Sequence, residues 1–229
     1  YLLLNKPDSR LIRLTMTEDQ EFIYQSIVSQ MRLGFLSNEE ITDNIIEEVE
    51  DNEFEDEISK KWIKATIKSE FEKLKMESKS WENPTKTEKL IAAFEELRTL
   101  NIIALHNAGY TMSDGESDVV EVEIALRENG IESDGYCFYH QQDLERAMDY
   151  KAPSLMIAFQ KVNNTDDAVT IRVGKLVVAI LKSHDLNVVW DESVNKKIEL
   201  PGFAWQKIYD EDDDDLLDSS RVVGVMIKK

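Results

Sequence analysis

Cysteine is nearly absent. Cys137 stands alone among 229 residues, so no internal disulfide can form, which fits a reducing, cytoplasmic setting. Proline and glycine are scarce, at four and eight residues, about half their usual share. That excludes collagen-like and linker-like chains and favours long regular elements. The longest clean apolar run, Leu176–Leu181, has six residues, whereas a membrane span needs about 20; no membrane partner is expected. Tyr1-Leu2-Leu3-Leu4 is too short for a signal-peptide core. There is no G-x-G-x-x-G, no Walker loop, no G-x-S-x-G and no H-E-x-x-H. The common nucleotide, hydrolase and metalloprotease classes therefore lack their marks, and no cofactor is implied.

Positive charge is also short. Lys and Arg number 27 against 46 Asp and Glu, a net −19. Such a surface repels phosphate, so nucleic acid is not an expected partner. Lys60, Lys61, Lys64 and Lys68 cluster, but Glu70 and Glu72 follow directly, which reads as a solvated helix face. At about 100–200 residues per domain the chain makes one large domain or two small ones, and 42% apolar residues suffice for a core.

Thr17-Glu18-Asp19-Gln20 and Ser37-Asn38-Glu39-Glu40 are capping-box patterns. Ile23, Ile27 and Met31 follow the first, and Ile41, Ile45 and Val49 the second, each an apolar stripe of helical spacing. Gly34 is placed to end the first helix. Residues 39–57 hold eleven acids and no Lys or Arg, a solvated face with an acidic linker or a docking face for a basic protein partner. A third helix is expected over about 58–76 with Trp62, Ile63, Ile67, Phe71 and Leu74, broken by Asn83-Pro84. Thr85-Lys86-Thr87-Glu88 opens a fourth, with Leu90, Phe94 and Leu97.

Beyond Asn101 the texture changes. Ile102–Leu105, Tyr136–Tyr139, Leu155–Phe159 and Val188–Trp190 read as strands, with helices over about 116–128, 141–148 and 169–183. Period-two alternation at Val120–Leu126 competes with helix, but flanking start and stop signals favour helix. Alternating strands and helices imply a mainly parallel sheet. Phe203–Tyr209 is a candidate edge strand after Pro201-Gly202. Asp210 to Asp215 is an unbroken run of acids, for which Val222–Ile227 could supply an ordering strand. The run lacks the oxygen spacing of a calcium loop.

Gly135-Tyr136-Cys137-Phe138-Tyr139-His140-Gln141-Gln142-Asp143-Leu144-Glu145-Arg146 carries the most local information. It sets His140, Gln141, Gln142 and Asp143 where a strand ends and a helix begins, the usual ligand position in open α/β sheets. His140 could act as base or ligand, Asp143 orient it, Gln141 and Gln142 supply polar contacts, and Arg146 clamp an anion. The competing reading is structural: His140 as N-cap and Asp143 reaching back as a capping-box acid. Cys137, mid-strand, reads as buried and inert. His106 and His184 have no paired ligand at helical spacing and read as surface or loop residues. Trp190-Asp191 and Trp205 read as core packing, with an aromatic rim near the sheet as the alternative.

This aromatic-His-Gln-Gln-Asp-x-Glu-Arg segment resembles an uncharacterised bacterial family, a domain of unknown function. The similarity extends to Arg32-Leu33-Gly34-Phe35-Leu36, to Trp81 with Pro84-Thr85, to Ala92–Leu97, Val189-Trp190-Asp191 and Trp205, over roughly residues 20–209. The resemblance brings no reaction, cofactor or catalytic residue. Many relatives carry closely spaced cysteines just after the strand equivalent to Ile102–Leu105. Here that stretch, His106–Gly115, has none, so a thiolate zinc site is unavailable and no metal residue is assigned.

The expected fold is α+β. A helical N-terminal region (15–100) packs on a C-terminal α/β unit (101–209) with a four- or five-stranded mixed sheet, followed by an acidic tail (210–229). The leading functional expectation is a non-catalytic binding or interaction protein with an acidic surface. The alternative is a small-ligand-binding protein or enzyme using the strand-end site around His140 and Asp143.

Overall fold

Each amphipathic stripe needs a partner, and the computed structural model, which describes residues 16–148, 151–211 and 215–228, pairs them within two compact units. The first runs to Ser80 and includes residues 208–211; the second runs from Trp81 to Lys207 and resumes in the C-terminal segment.

The first unit contains α1 (Glu18–Leu33), α2 (Asn38–Asp51) and α3 (Lys60–Ser78). Both anticipated capping boxes close reciprocally. Thr17 Oγ1 accepts from the Gln20 N–H at 3.2 Å, and Gln20 Oε1 accepts from the Thr17 N–H at 3.3 Å. Ser37 and Glu40 do the same at 3.2 and 2.8 Å. Gly34 ends α1 in the left-handed region at φ 67°, where a Cβ would be strained. The stripes Ile23/Ile27/Met31, Ile41/Ile45/Val49 and Ile63/Ile67/Leu74 are buried, and each helix packs on the other two. Full burial of one such side chain contributes about 1.5–3 kcal/mol, which explains why the stripes rather than the charged faces set the packing. Arg32 forks onto Glu77 at 2.8 and 3.3 Å, tying α1 to α3.

The second unit opens with α4 (Lys86–Thr99), capped by a Thr85–Glu88 box after a cis Asn83–Pro84 bond. Then come β1 (Ile102–Leu105), α5 (Met112–Glu128), β2 (Gly135–Phe138), α6 (Gln141–Ala147), β3 (Ser154–Gln160), α7 (Asp167–Ser183), β4 (Ile198–Pro201) and α8 (Ser219–Ile227). The sheet is four-stranded, in the order β1-β2-β3-β4. Only β1 and β2 are parallel, with Ile103 opposite Tyr136 and Leu105 opposite Phe138. The other two pairings are antiparallel. The sheet is thus mixed, as the α+β class requires, rather than mainly parallel. Length explains the difference. α5 has 17 residues and spans about 25 Å, enough to return the chain for a parallel strand. α6 has seven, about 10 Å, so β3 starts near the end of β2 and runs back.

Ile103, Leu105, Tyr136 and Phe138 face Val119, Val122 and Leu126 of α5 and Val222 and Met226 of α8 in one core. On the other face Gly135 abuts Val173 of α7, and Gly174 abuts Phe159 and Trp190. Both faces are covered, so β1 and β2 are buried at every residue, the burial pattern of doubly covered strands.

Several expectations need correction. Val188–Trp190 is not a strand; only a Val189–Glu199 bridge forms, and β4 takes the half-buried alternation Ile198-Glu199-Leu200 instead. Phe203–Tyr209 is not an edge strand. Its backbone bonds go elsewhere, Trp205 N–H to Ala147 O and Gln206 N–H to Thr87 Oγ1, while Phe203 and Trp205 are buried. Val222–Ile227 is helical: Asp218 caps α8, and Val222 and Met226, four apart, bury together. Tyr1–Leu4 and the centre of the acid run lie outside the described residues.

Candidate functional site

His140 leaves β2 in extended geometry (φ −106°, ψ 173°) and becomes the N-cap of α6. Its Nδ1 accepts the Asp143 N–H at 3.3 Å, so the ring proton belongs on Nε2. Asp143 is fully buried. Arg146 Nη1 donates to its Oδ1 at 2.8 Å, and Lys197 Nζ donates to its Oδ2 at 2.6 Å. His140 Nε2 lies 3.1 Å from the same oxygen and 2.8 Å from Lys197 Nζ. Burial holds the His140 imidazole below its ordinary range, against the attraction of Asp143 and with the help of Lys197 and Arg146. A neutral ring with both nitrogens occupied has no lone pair free to take a substrate proton.

The sequence-derived residues are therefore brought together in part. His140, Asp143 and Arg146 converge. Gln141 and Gln142 join through their backbones, whose N–H groups donate to Gly109 O at 3.1 Å and Tyr110 O at 3.4 Å, stitching α6 to the loop after β1. Lys197 was not legible: it lies 54 residues beyond Asp143, just before β4, and no local pattern marks it. Cys137 is fully buried and its thiol is pushed up by burial, which keeps it protonated and inert.

A second constellation sits at the end of β1. His106, expected at the surface or in a loop, is only 4% exposed. It stacks on Phe94 with ring centroids 4.6 Å apart and meets Tyr139 edge-on at 5.7 Å. Its Nδ1 lies 3.2 Å from the Tyr139 hydroxyl. Burial, then Arg98, Arg221 and Lys207, holds this imidazole well below its usual range, so it is neutral. Its Nε2 is buried without a hydrogen-bond partner, as is Asn107 Oδ1.

Both residues line a cavity of about 190 Å³. That exceeds the ~10–15 Å³ one water needs and falls below the ~300 Å³ of drug-sized sites. Arg98 closes one side. It is fully buried, with Nε and Nη2 donating to Ala104 O at 3.0 and 2.8 Å and Nη1 to Glu95. Asp118 and Glu121 of α5 bring negative charge to the lining, which also includes Leu216, Ser219 and Val222 of the C-terminal segment. Burial, then Glu121 and Asp114, raises the Asp118 carboxyl above its ordinary range. An orphaned buried donor or acceptor costs about 1–3 kcal/mol, and two of them belong to neighbouring residues that line this cavity. The available signal was positional: the strand-end rule that singled out His140 after β2 applies equally to His106 after β1.

His184 lies at the end of α7, its Nε2 2.7 Å from Glu96 Oε2. Among the described residues no group of three or more His, Cys, Asp or Glu is placed to hold a metal ion, and no helix is long and apolar enough to cross a membrane. No curated protein and no solved structure matches the chain significantly. A family model does, over residues 16–209, with the aromatic-His-Gln-Gln-Asp segment inside the matched span; the chain belongs to this family, described as a domain of unknown function (DUF6891).

Proposed function

We propose that this protein is a non-catalytic binding protein for a small polar ligand, seated in the cavity at the carboxyl end of β1. The observation that carries this reading is the pair of unpartnered buried atoms, His106 Nε2 and Asn107 Oδ1, on two residues that line that cavity. The enzyme reading centred on His140 and Asp143 is less well supported. His140 Nδ1 is spent on the Asp143 N–H and the Asp143 carboxylate on Lys197 and Arg146, which suits a helix anchor.

The test is a calorimetric screen of the full chain against small amines, amides, carboxylates and amino acids, run beside Ser219→Trp. Ser219 is exposed and lines the cavity, so an indole there obstructs the site without entering the core. Binding by the wild type that the tryptophan variant loses supports the reading. No binding by any class, or binding that survives the obstruction, overturns it.

A second reading rests on α2. Glu39, Asp43, Glu47 and Glu50 are exposed, opposite the buried Ile41, Ile45 and Val49, and offer a basic protein partner an anionic helix face. Pull-down at low and high salt tests it. A basic partner lost at high salt supports the idea, and recovery of none at either salt contradicts it.

A further inference from the structure

The cavity beside β1 is polarised. Tyr139 is buried, and its hydroxyl is offered no acceptor but His106 Nδ1 among the described residues. The O–H therefore donates to Nδ1, and the imidazole proton sits on Nε2, the orphan atom of a residue that lines the cavity. Arg98 adds to that donor side. A guanidinium has five N–H groups, and three of Arg98's are engaged, two by Ala104 O and one by Glu95. Two N–H groups remain, on a guanidinium whose charge is ion-paired with Glu95. The acceptor side is built from α5 and the loop. Asn107 Oδ1 is unpartnered. Asp118 and Glu121, one turn apart on α5, form no ion pair with a Lys or Arg among the described residues. A neutral, donor-presenting imidazole beside the Arg98 guanidinium thus shares one small space with two carboxylates that make no ion pair among the described residues, Asp118 being held by the Gly109 N–H.

We propose that this cavity takes a small zwitterion of the α-amino-acid type, its carboxylate on the His106 and Arg98 side and its ammonium on the Asn107, Asp118 and Glu121 side. The inference rests on the binding reading above and narrows it to a ligand class. A simple anion would leave Asp118 and Glu121 unneutralised and facing it. A simple cation would face Arg98 and leave the His106 N–H without an acceptor. A ligand carrying both poles satisfies each wall, and the volume of about 190 Å³ restricts it to a compact side chain.

The experiment is isothermal titration of the full chain with glycine, L-alanine and L-serine, beside propionate as the carboxylate alone and ethylammonium as the ammonium alone. At least one amino acid should bind tenfold or more tightly than either single-pole probe. Asp118→Asn, at a half-buried position, should weaken that amino acid about tenfold, and Glu121→Gln, at an exposed one, should weaken it in the same direction. Equal affinity for propionate or ethylammonium overturns the proposal, as does unchanged amino-acid affinity in both variants. If the amino acids fail while other members of the broad screen bind in the cavity, the ligand class is wrong and the binding reading stands. If nothing binds, both fall.

Discussion

Asp143→Ala tests the role of the junction after β2. The side chain is fully buried and accepts from Arg146 at 2.8 Å and Lys197 at 2.6 Å, with His140 Nε2 at 3.1 Å. Hydrogen bonds to charged groups contribute about 1.5–3 kcal/mol each, so the two cationic contacts set a ceiling of roughly 3–6 kcal/mol. The cations are not equally trapped. Arg146 is 59% exposed at its side chain and Lys197 24%, so both regain water when the carboxylate goes, which reduces the loss. The net expectation is about 3 kcal/mol, or a Tm lowered by roughly 6–12 °C at ~2–4 °C per kcal/mol. Asp143→Asn, which keeps the shape and one acceptor, should lose about half as much. Calorimetric unfolding at neutral pH reads both, and a double-mutant cycle with Lys197→Met should return a coupling above ~1 kcal/mol. A loss below about 1 kcal/mol in Asp143→Ala, with no coupling to Lys197, would refute the anchor assignment.

Stability should fall as pH drops below about 6.5, the ordinary imidazole value. Burial depresses His106 and His140 in the folded state, so the unfolded chain binds protons first, at up to about 1.4 kcal/mol per pH unit per imidazole. His106→Gln should flatten that slope between pH 6.5 and 5, and an unchanged slope would contradict the assignment. At Gly115 an added Cβ would sit 2.4 Å from Phe138 Cε2 and 2.8 Å from Ala108 O, so Gly115→Ala should cost about 1–3 kcal/mol. Gly224 of α8 has nothing within 4 Å of that position, and Gly224→Ala should stabilise by roughly 0.5–1 kcal/mol; denaturant midpoints compare the pair. Thr85→Ala, which opens the α4 capping box, should cost about 1 kcal/mol in the same assay.

Local chemistry was legible and distant chemistry was not. Thr17, Ser37, Thr85 and His140 announce helix starts because a cap and its third-position partner are near neighbours. The apolar stripes of α1 to α3 appear in the sequence for the same reason. α5 was the ambiguous case. Its alternating Val120 and Ile124 are exposed while Val119, Val122 and Leu126 are buried, so the helical period governs burial and two apolar side chains face solvent. β4 leaves little trace in the sequence because a half-buried strand of four residues gives only two alternating apolar positions. Lys197 and the Arg98–His106–Asp118 cavity were hidden because their members lie on separate elements. Only topology brings them together. His106 could have been found by treating both parallel strand ends alike.

The most direct test of the cavity assignment is a ¹H–¹⁵N NMR titration of the full chain with the strongest binder from the screen. The largest shifts are expected at Leu105–Ala108 and across Asp118–Glu121, with the helices of the first unit unmoved. Shifts centred on Gln141–Arg146, or confined to α1, α2 and α3, would place the ligand elsewhere and contradict it.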